Sequence, residues 1–129
     1  MKKCFIISVS MLILYMGIIF WFSSLPSEQL IPESALGLAI SSSVKHVIVY
    51  AILGLQMSLV IVQVSNKTFQ TFFYAFTLAS CYGVLDEIHQ SFVPSRYCTF
   101  FDVVSNIGGS IIGVFVWFLM YKSNAKSDG

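Results

Sequence analysis

The most polar stretch of this sequence is Asp86-Glu87-Ile88-His89-Gln90-Ser91-Phe92-Val93-Pro94-Ser95-Arg96. Its eleven residues carry two carboxylates, an imidazole, an amide and a guanidinium, and the chain around them is strongly apolar. Charged groups are costly in apolar surroundings, so a chain that keeps them there generally uses them. We therefore expect the fold and any functional site to be organised around this stretch.

The composition of the chain indicates a membrane protein. Of its 129 residues, 57% are hydrophobic and 10% are charged, whereas soluble domains carry about 25% charged residues. The formal net charge is +1, which gives no reason to expect a nucleic-acid partner. The three cysteines lie far apart in the sequence, without the Cys-x-x-Cys spacing of metal or redox sites.

Four apolar runs are long enough to cross a bilayer, which takes about 20 residues each. They cover residues 4–22, 44–64, 69–88 and 102–121. The first run is long for a cleaved signal peptide and no A-x-A-like site follows it, so we interpret it as a retained anchor helix. The sequence therefore predicts an all-α membrane protein, with residues 1–129 forming a single domain of four transmembrane helices.

The segments between the runs support this arrangement. Residues 65–68 are a short polar turn, which predicts that the second and third spans pair as an antiparallel hairpin. Pro94 is expected to end the third helix near Val93. Residues 34–40, between the first and second spans, are mildly apolar and are able to form a short helix that lies at the membrane interface or dips inward.

The lysines predict the orientation of the bundle. In a four-span topology Lys2, Lys3, Lys67, Lys122 and Lys126 all fall on one side. The positive-inside rule assigns that side to the cytoplasm, so both termini are predicted to be cytoplasmic. The polar ends of the last three spans would then form a cluster on the extracytoplasmic side of the cell membrane.

Helical spacing predicts that the polar groups at this end face one another, because residues three and four apart share a helix face. Small residues continue the same faces and allow helices to approach closely in lipid. The three predicted faces are His46, Tyr50 and Gly54; Ala75, Ala79, Gly83, Glu87 and Gln90; and Asp102, Asn106, Gly109 and Gly113.

Several motifs, in one order along most of the chain, together resemble the VanZ-like family. They are Phe22-Ser23-Ser24, Lys45-His46-x-x-x-Tyr50, Asp86-Glu87-x-x-Gln90-x-Phe92-x-Pro94-x-Arg96 and Asp102-x-x-x-Asn106-x-x-Gly109. The resemblance implies a small integral membrane protein of the bacterial cell envelope. The founding member of that family is associated with low-level resistance to the glycopeptide teicoplanin. The family pattern commonly has glycine where this chain has Ser95.

Ten polar residues of these motifs are candidate site residues. The candidate catalytic residues are Glu87, Asp86 and His46, since paired carboxylates with a nearby imidazole suit general acid/base chemistry. We favour Glu87 over Asp86, because Glu87 continues the stripe of small residues. The candidate ligand-binding residues are Lys45, Arg96, Tyr50, His89, Gln90, Asp102 and Asn106.

The ligand suggested by these groups is an anion. Arg96, in a loop at the membrane surface, is able to hold a phosphate or carboxylate through two hydrogen bonds. Lipid head groups and lipid-linked cell-wall precursors offer such anions. The alternative is that Lys45 and Arg96 form salt bridges with Asp86 and Glu87 that only lock the helices together. The histidines and carboxylates do not follow a known metal-binding spacing, so no metal or other cofactor is assigned.

Two main hypotheses follow. The first is a cell-envelope protein that binds or modifies an anionic lipid or cell-wall precursor through the polar cluster; whether the protein is an enzyme stays open. The second is a non-catalytic membrane module that binds a partner protein, its polar cluster fixing helix register. Transport is weaker, because no charged residue marks a path through the cytoplasmic half of the last three spans. The glycine-rich faces suit contacts within one chain or in a homo-oligomer.

Overall fold

The computed structural model describes residues 2–26, 42–65 and 67–127. The helices in these ranges are α1 (Lys2–Ser23), α2 (Ser42–Ile61), α3 (Thr68–Gln90) and α4 (Phe100–Ser127). The described residues contain no strand, so the predicted all-α fold is confirmed. Each predicted span coincides with one helix to within a few residues at most ends. The short helix expected over residues 34–40 lies outside the described residues.

Three of these helices, α1, α2 and residues 100–123 of α4, are long and apolar enough to cross a membrane. The prediction of a multi-pass membrane protein is therefore supported. Helix α3 has 23 residues, about 35 Å at 1.5 Å per residue, which is also a sufficient length. Because its C-terminal turn is polar, α3 is less apolar than the other three helices. The direction in which the bundle crosses the membrane stays a prediction.

The closest packing in the bundle joins α2 and α4 through glycines. A Cβ atom on Gly113 would overlap the carbonyl oxygen of Ala51, and one on Gly109 would overlap that of Val47. The backbones of α2 and α4 therefore touch directly, as small residues permit in membrane helices. In this structure the glycine face predicted on α4 is covered by α2 of the same chain.

Helix α3 presents the predicted stripe of small and polar residues to the interior. Its buried residues are Thr71, Ala75, Ala79, Gly83, Asp86, Glu87 and Gln90. Alanine and glycine occupy the middle of the stripe and the polar residues occupy its C-terminal end. This order brings the carboxylates to the same end of the bundle as the N-termini of α2 and α4.

Helix α1 is the most loosely packed of the four. Two tyrosines attach it to the bundle: the Tyr15 hydroxyl donates to the carbonyl oxygen of Val49 at 3.0 Å, and the Tyr82 hydroxyl donates to that of Met16 at 2.8 Å. The buried residues of α1 are Leu12, Ile19 and Ser23. A cavity lies between the part of α1 from Tyr15 to Ser23 and the polar end of the bundle.

Candidate functional site

The innermost part of the polar end is a three-residue cluster from three helices. Asn106 of α4 donates through Nδ2 to Glu87 Oε1 of α3 at 2.9 Å. His46 Nδ1 of α2 lies 2.8 Å from Asn106 Oδ1 and 3.3 Å from Glu87 Oε1. Both neighbours of this nitrogen are acceptors, so Nδ1 carries the proton. The cluster ties α2, α3 and α4 together; Glu87 and Asn106 are buried, and His46 is partly exposed.

The N-terminus of α4 supplies the next carboxylate. Asp102 lies in the first turn of the helix, and its backbone N–H donates to Thr99 Oγ1 at 3.2 Å. The Thr99 hydroxyl donates in turn to Asp102 Oδ2. This reciprocal pair resembles a capping box, which satisfies backbone donors at a helix start. The other oxygen, Asp102 Oδ1, lies 4.0 Å from His46 Nε2, so the cap and the inner cluster are adjacent.

Asp86 and Arg96 are linked through the side chain of Gln90. Gln90 Nε2 donates to Asp86 Oδ2 at 2.9 Å, and Arg96 donates to Gln90 Oε1. Asp86 and Gln90 are one helical turn apart, which places them on the same face of α3. Gln90 therefore holds the guanidinium and the carboxylate at a fixed separation with an amide between them.

The loop that carries Arg96 turns sharply at Ser95. This residue has a φ of 62°, in the left-handed region that glycine adopts most easily. The turn that the family pattern commonly makes with glycine is thus made here with serine. It directs the chain so that Arg96 returns over the end of α3.

His89 lies on a different side of α3 from these groups. Its ring stacks on Phe20 of α1, with ring centroids 4.6 Å apart, and its Nε2 lies 3.0 Å from Ser24 Oγ. The Ser24 hydroxyl also bonds the carbonyl oxygen of Phe20 at 2.7 Å. His89 therefore joins the ends of α1 and α3.

A cavity of about 760 Å³ lies between α1 and the polar end of the bundle. Seven of the ten predicted site residues line it: Lys45, His46, Tyr50, Asp86, Gln90, Arg96 and Asp102. The opposite part of its wall is apolar or aromatic and comes mainly from α1: Tyr15, Ile18, Ile19, Phe22 and Val49. The cavity is thus polar on one side and apolar on the other.

Three buried polar atoms on this wall have no hydrogen-bond partner among the residues that the structure describes. They are Asp86 Oδ1, the Tyr50 hydroxyl and Ser23 Oγ. The Tyr50 hydroxyl lies near the Asp86 carboxylate. A buried polar group without a partner costs about 1–3 kcal/mol, so these atoms are suited to a bound ligand.

The remaining predicted site residues, Glu87, Asn106 and His89, do not line the cavity. Glu87 and Asn106 lie one layer behind its wall, and Asp86 is the α3 carboxylate that reaches it. Ser23 and Thr99 also line the cavity, although they are not among the predicted site residues. The Thr99-x-x-Asp102 spacing of a helix start could have indicated Thr99.

Within residues 2–26, 42–65 and 67–127, no three His, Cys, Asp or Glu side chains are grouped closely enough to hold a metal ion. The site presents hydrogen-bonding and charged side chains. It combines a guanidinium, an ammonium, an imidazole and two carboxylates around one cavity.

Comparison with known proteins gives one match. The family model described as VanZ/LLP1 matches residues 8–121, which include all four helices in whole or in large part and every residue of the cavity wall. No curated protein and no solved structure matches the chain.

Proposed function

Because the chain belongs to the VanZ-like family of membrane proteins, we propose that it binds an anionic amphiphile of the bacterial cell envelope in the cavity beside α1. The ligand would be a membrane lipid or a lipid-linked cell-wall precursor. Its head group would occupy the polar wall and its hydrocarbon would lie along α1.

The observation that carries this proposal is the two-sided wall of the cavity. Ligand pockets in general are mostly apolar with a few well-placed polar groups. Here the two kinds of group are separated, with Arg96 and His46 on one side and Ile18, Ile19 and Phe22 on the other. A ligand that is itself divided into a charged head and a hydrocarbon chain fits this separation.

Arg96 is the principal anion contact in the proposal. Its guanidinium offers five N–H donors, and the Gln90 oxygen takes one of them. The others are able to hold a phosphate or carboxylate with two parallel hydrogen bonds. Lys45 adds positive charge at the wall of the cavity. His46 and Asp102 stand beside these groups and position them, and Asp86, Glu87 and His46 stay candidates for acid/base chemistry.

The proposal places the cavity in the outer leaflet. The supporting observation is the distribution of lysines in the sequence, since Lys67 and Lys122 lie at the end of the bundle opposite to Arg96. The positive-inside rule assigns their end to the cytoplasm. At the outer leaflet the protein would meet lipids and cell-wall precursors that glycopeptide antibiotics also meet, so altered tolerance to teicoplanin is the proposed phenotype.

The binding experiment compares lipids with identical acyl chains and different head groups. Purified protein is titrated with phosphatidylglycerol or with diacylglycerol, and native mass spectrometry counts the lipids retained. Wild-type protein should retain phosphatidylglycerol over diacylglycerol, and Arg96→Ala should lose at least about ten-fold in affinity, the scale of a charge-assisted contact. Lys67→Ala, which removes a positive charge at the opposite end, is the matched control.

Equal retention of the two lipids by wild-type protein would contradict the proposal. In cells, Arg96→Ala expressed at the wild-type level should lose any effect of the protein on teicoplanin tolerance. Unchanged tolerance in that variant would remove the link between the cavity and the phenotype.

A second candidate function is a non-catalytic module for a partner protein. The observation in its favour is the inner cluster, in which Glu87, Asn106 and His46 contact one another and link three helices. If the whole polar end is a lock, neutralising Asp86 should destabilise the fold as strongly as neutralising Glu87. A partner complex that survives Arg96→Ala would favour this candidate over lipid binding.

A further inference from the structure

The polar wall of the cavity carries both signs of charge. Lys45 and Arg96 are positive, and Asp86 and Asp102 are negative. His46 adds an imidazole, and Tyr15, Tyr50 and Tyr97 add phenol hydroxyls to the described part of the wall. A ligand that is only anionic would therefore meet as much negative as positive charge. The matching ligand for such a wall is one that carries both signs itself.

The two signs occupy distinct positions. Arg96 is half-buried and belongs to the loop, whereas Asp86 is 6% exposed and lies on α3. Gln90 separates them by bonding to both. If Arg96 binds an anionic group of a ligand, the next atoms of that ligand would lie close to the Asp86 carboxylate. The side-chain amide of Gln90 sets the distance between the two positions.

One oxygen of the Asp86 carboxylate lacks a hydrogen-bond donor among the described residues. Asp86 Oδ2 accepts from Gln90, but Asp86 Oδ1 has no partner among the described residues. The hydroxyls of Tyr50 and Ser23 beside the same cavity are also unpartnered within the described ranges. A buried carboxylate gains most from a charged donor, because charge-assisted hydrogen bonds are about twice as strong as neutral ones.

We infer that the ligand head group is zwitterionic, with a phosphate bound at Arg96 and a primary ammonium bound at Asp86 Oδ1. This inference rests on the proposed function and specifies the head group: the anionic phosphate also carries an amine, so the ligand is zwitterionic and not purely anionic. The Tyr50 and Ser23 hydroxyls complete the hydrogen bonds of the phosphate or ammonium. Phosphatidylethanolamine has this chemistry. Any other envelope lipid has it if its phosphate and its free amine are as far apart as they are in phosphatidylethanolamine.

The test is a head-group series with identical short acyl chains. Purified protein is titrated with the ethanolamine, glycerol and choline phospholipids, which differ in whether the phosphate carries a primary ammonium, a hydroxyl or a quaternary ammonium without N–H. The ethanolamine lipid should bind at least about ten-fold more tightly than the glycerol lipid, the scale of one charge-assisted hydrogen bond. The choline lipid should not reproduce this gain.

Asp86→Asn tests the assigned contact, because asparagine keeps the shape and still accepts from Gln90. This variant should bind the ethanolamine and glycerol lipids with similar affinity. Lys67→Gln, a charge change at the opposite end of the bundle, should keep the wild-type preference. If Asp86→Asn fails to fold, the wild-type series still decides the matter.

The outcomes separate the two proposals. If the glycerol lipid binds as tightly as the ethanolamine lipid and both depend on Arg96, the zwitterion inference is overturned while lipid binding stands; Tyr50 would then be the partner of Asp86. If no phospholipid binds better than diacylglycerol, the proposed function itself fails. Soluble O-phosphoethanolamine, which has the same head group without acyl chains, is used as a competitor against the bound lipid. If it competes as strongly as the lipid itself, the claim that the ligand is an amphiphile is overturned.

Discussion

Glu87 of α3 and Asn106 of α4 are joined by a hydrogen bond of 2.9 Å between two side chains that are no more than 1% exposed. Asn106 donates to Glu87 through Nδ2, and its acceptor oxygen, Oδ1, contacts His46 of α2. One asparagine therefore links the polar ends of three helices. The cavity wall has space for a ligand, whereas Glu87 and Asn106 of the inner cluster do not reach the cavity.

Glu87→Gln and Asp86→Asn should separate these two roles. Glu87→Gln weakens the buried contacts of Glu87 with His46 and Asn106 and should lower the free energy of unfolding by about 1–3 kcal/mol. Asp86→Asn removes a charge that the described fold does not pair with a cation, so stability should be unchanged or higher. Thermal unfolding in detergent measures both. Equal destabilisation by the two changes would indicate a structural role for the whole polar end.

Gly113→Ala should destabilise the bundle while Gly108→Ala should not. A Cβ on Gly113 would overlap the backbone of Ala51, whereas one on Gly108 meets no atom within 4 Å. Overpacking of this kind costs about 1–3 kcal/mol, and alanine at an open helical position gains about 1 kcal/mol over glycine. Thermal unfolding of the two variants side by side checks the α2–α4 contact. Similar melting temperatures would contradict it.

Ser95→Gly should be more stable than Ser95→Ala. Both changes remove the serine hydroxyl, so their comparison isolates the backbone. Because Ser95 has a φ of 62°, glycine adopts its conformation freely and alanine is strained there by about 1–2 kcal/mol. The difference in melting temperature reports this strain, and a lower value for the glycine variant would show that the turn is not left-handed in solution.

The native cysteines test the proposed orientation. Cys98 is exposed in the loop between α3 and α4, and Cys4 is exposed near the start of α1, at the other end of the bundle. A membrane-impermeant thiol reagent added to intact cells should label Cys98, and should label Cys4 only after permeabilisation. The reverse pattern would invert the topology. Cys98→Ser identifies the labelled site.

The pH dependence of Cys98 labelling follows from the surroundings of its thiol. Desolvation raises the pKa of its thiol, and the negative charges of Glu87 and Asp102 raise it further. The reactive thiolate is therefore scarcer at neutral pH than for an ordinary cysteine. Labelling of Cys98 should rise as the pH is increased above about 8.

The helices and the convergence of His46, Glu87, Gln90, Asp102 and Asn106 could be predicted from the sequence. Long apolar runs fix the helices, and the 3.6-residue period assigns the interior faces. The sequence does not indicate which of Asp86 and Glu87 faces the cavity and which joins the inner cluster. Both are buried, and successive helical residues point about 100° apart. Their assignment to the cavity or the cluster depends on how α3 is rotated against its neighbours.

The contribution of α1 was also beyond the sequence. Helix α1 is apolar all round, so no periodicity marks Ile19 or Ser23 as facing inward. The contact of His89 with Phe20 and Ser24 depends on the same packing. The cavity lies between α1 and the polar ends of the other helices, so it depends on tertiary packing that local sequence patterns do not encode.

Photo-crosslinking with a phospholipid that carries a diazirine in its acyl chain is the most direct test of the cavity as a lipid site. Ile19 is 7% exposed yet lines the cavity, whereas Leu14 and Trp21 of the same helix are 66% and 67% exposed. Peptide mass spectrometry should find adducts on Ile19 and the neighbouring Val49, and these adducts should diminish in Arg96→Ala. Adducts confined to outward residues such as Leu14 and Trp21, and unchanged in that variant, would contradict the account.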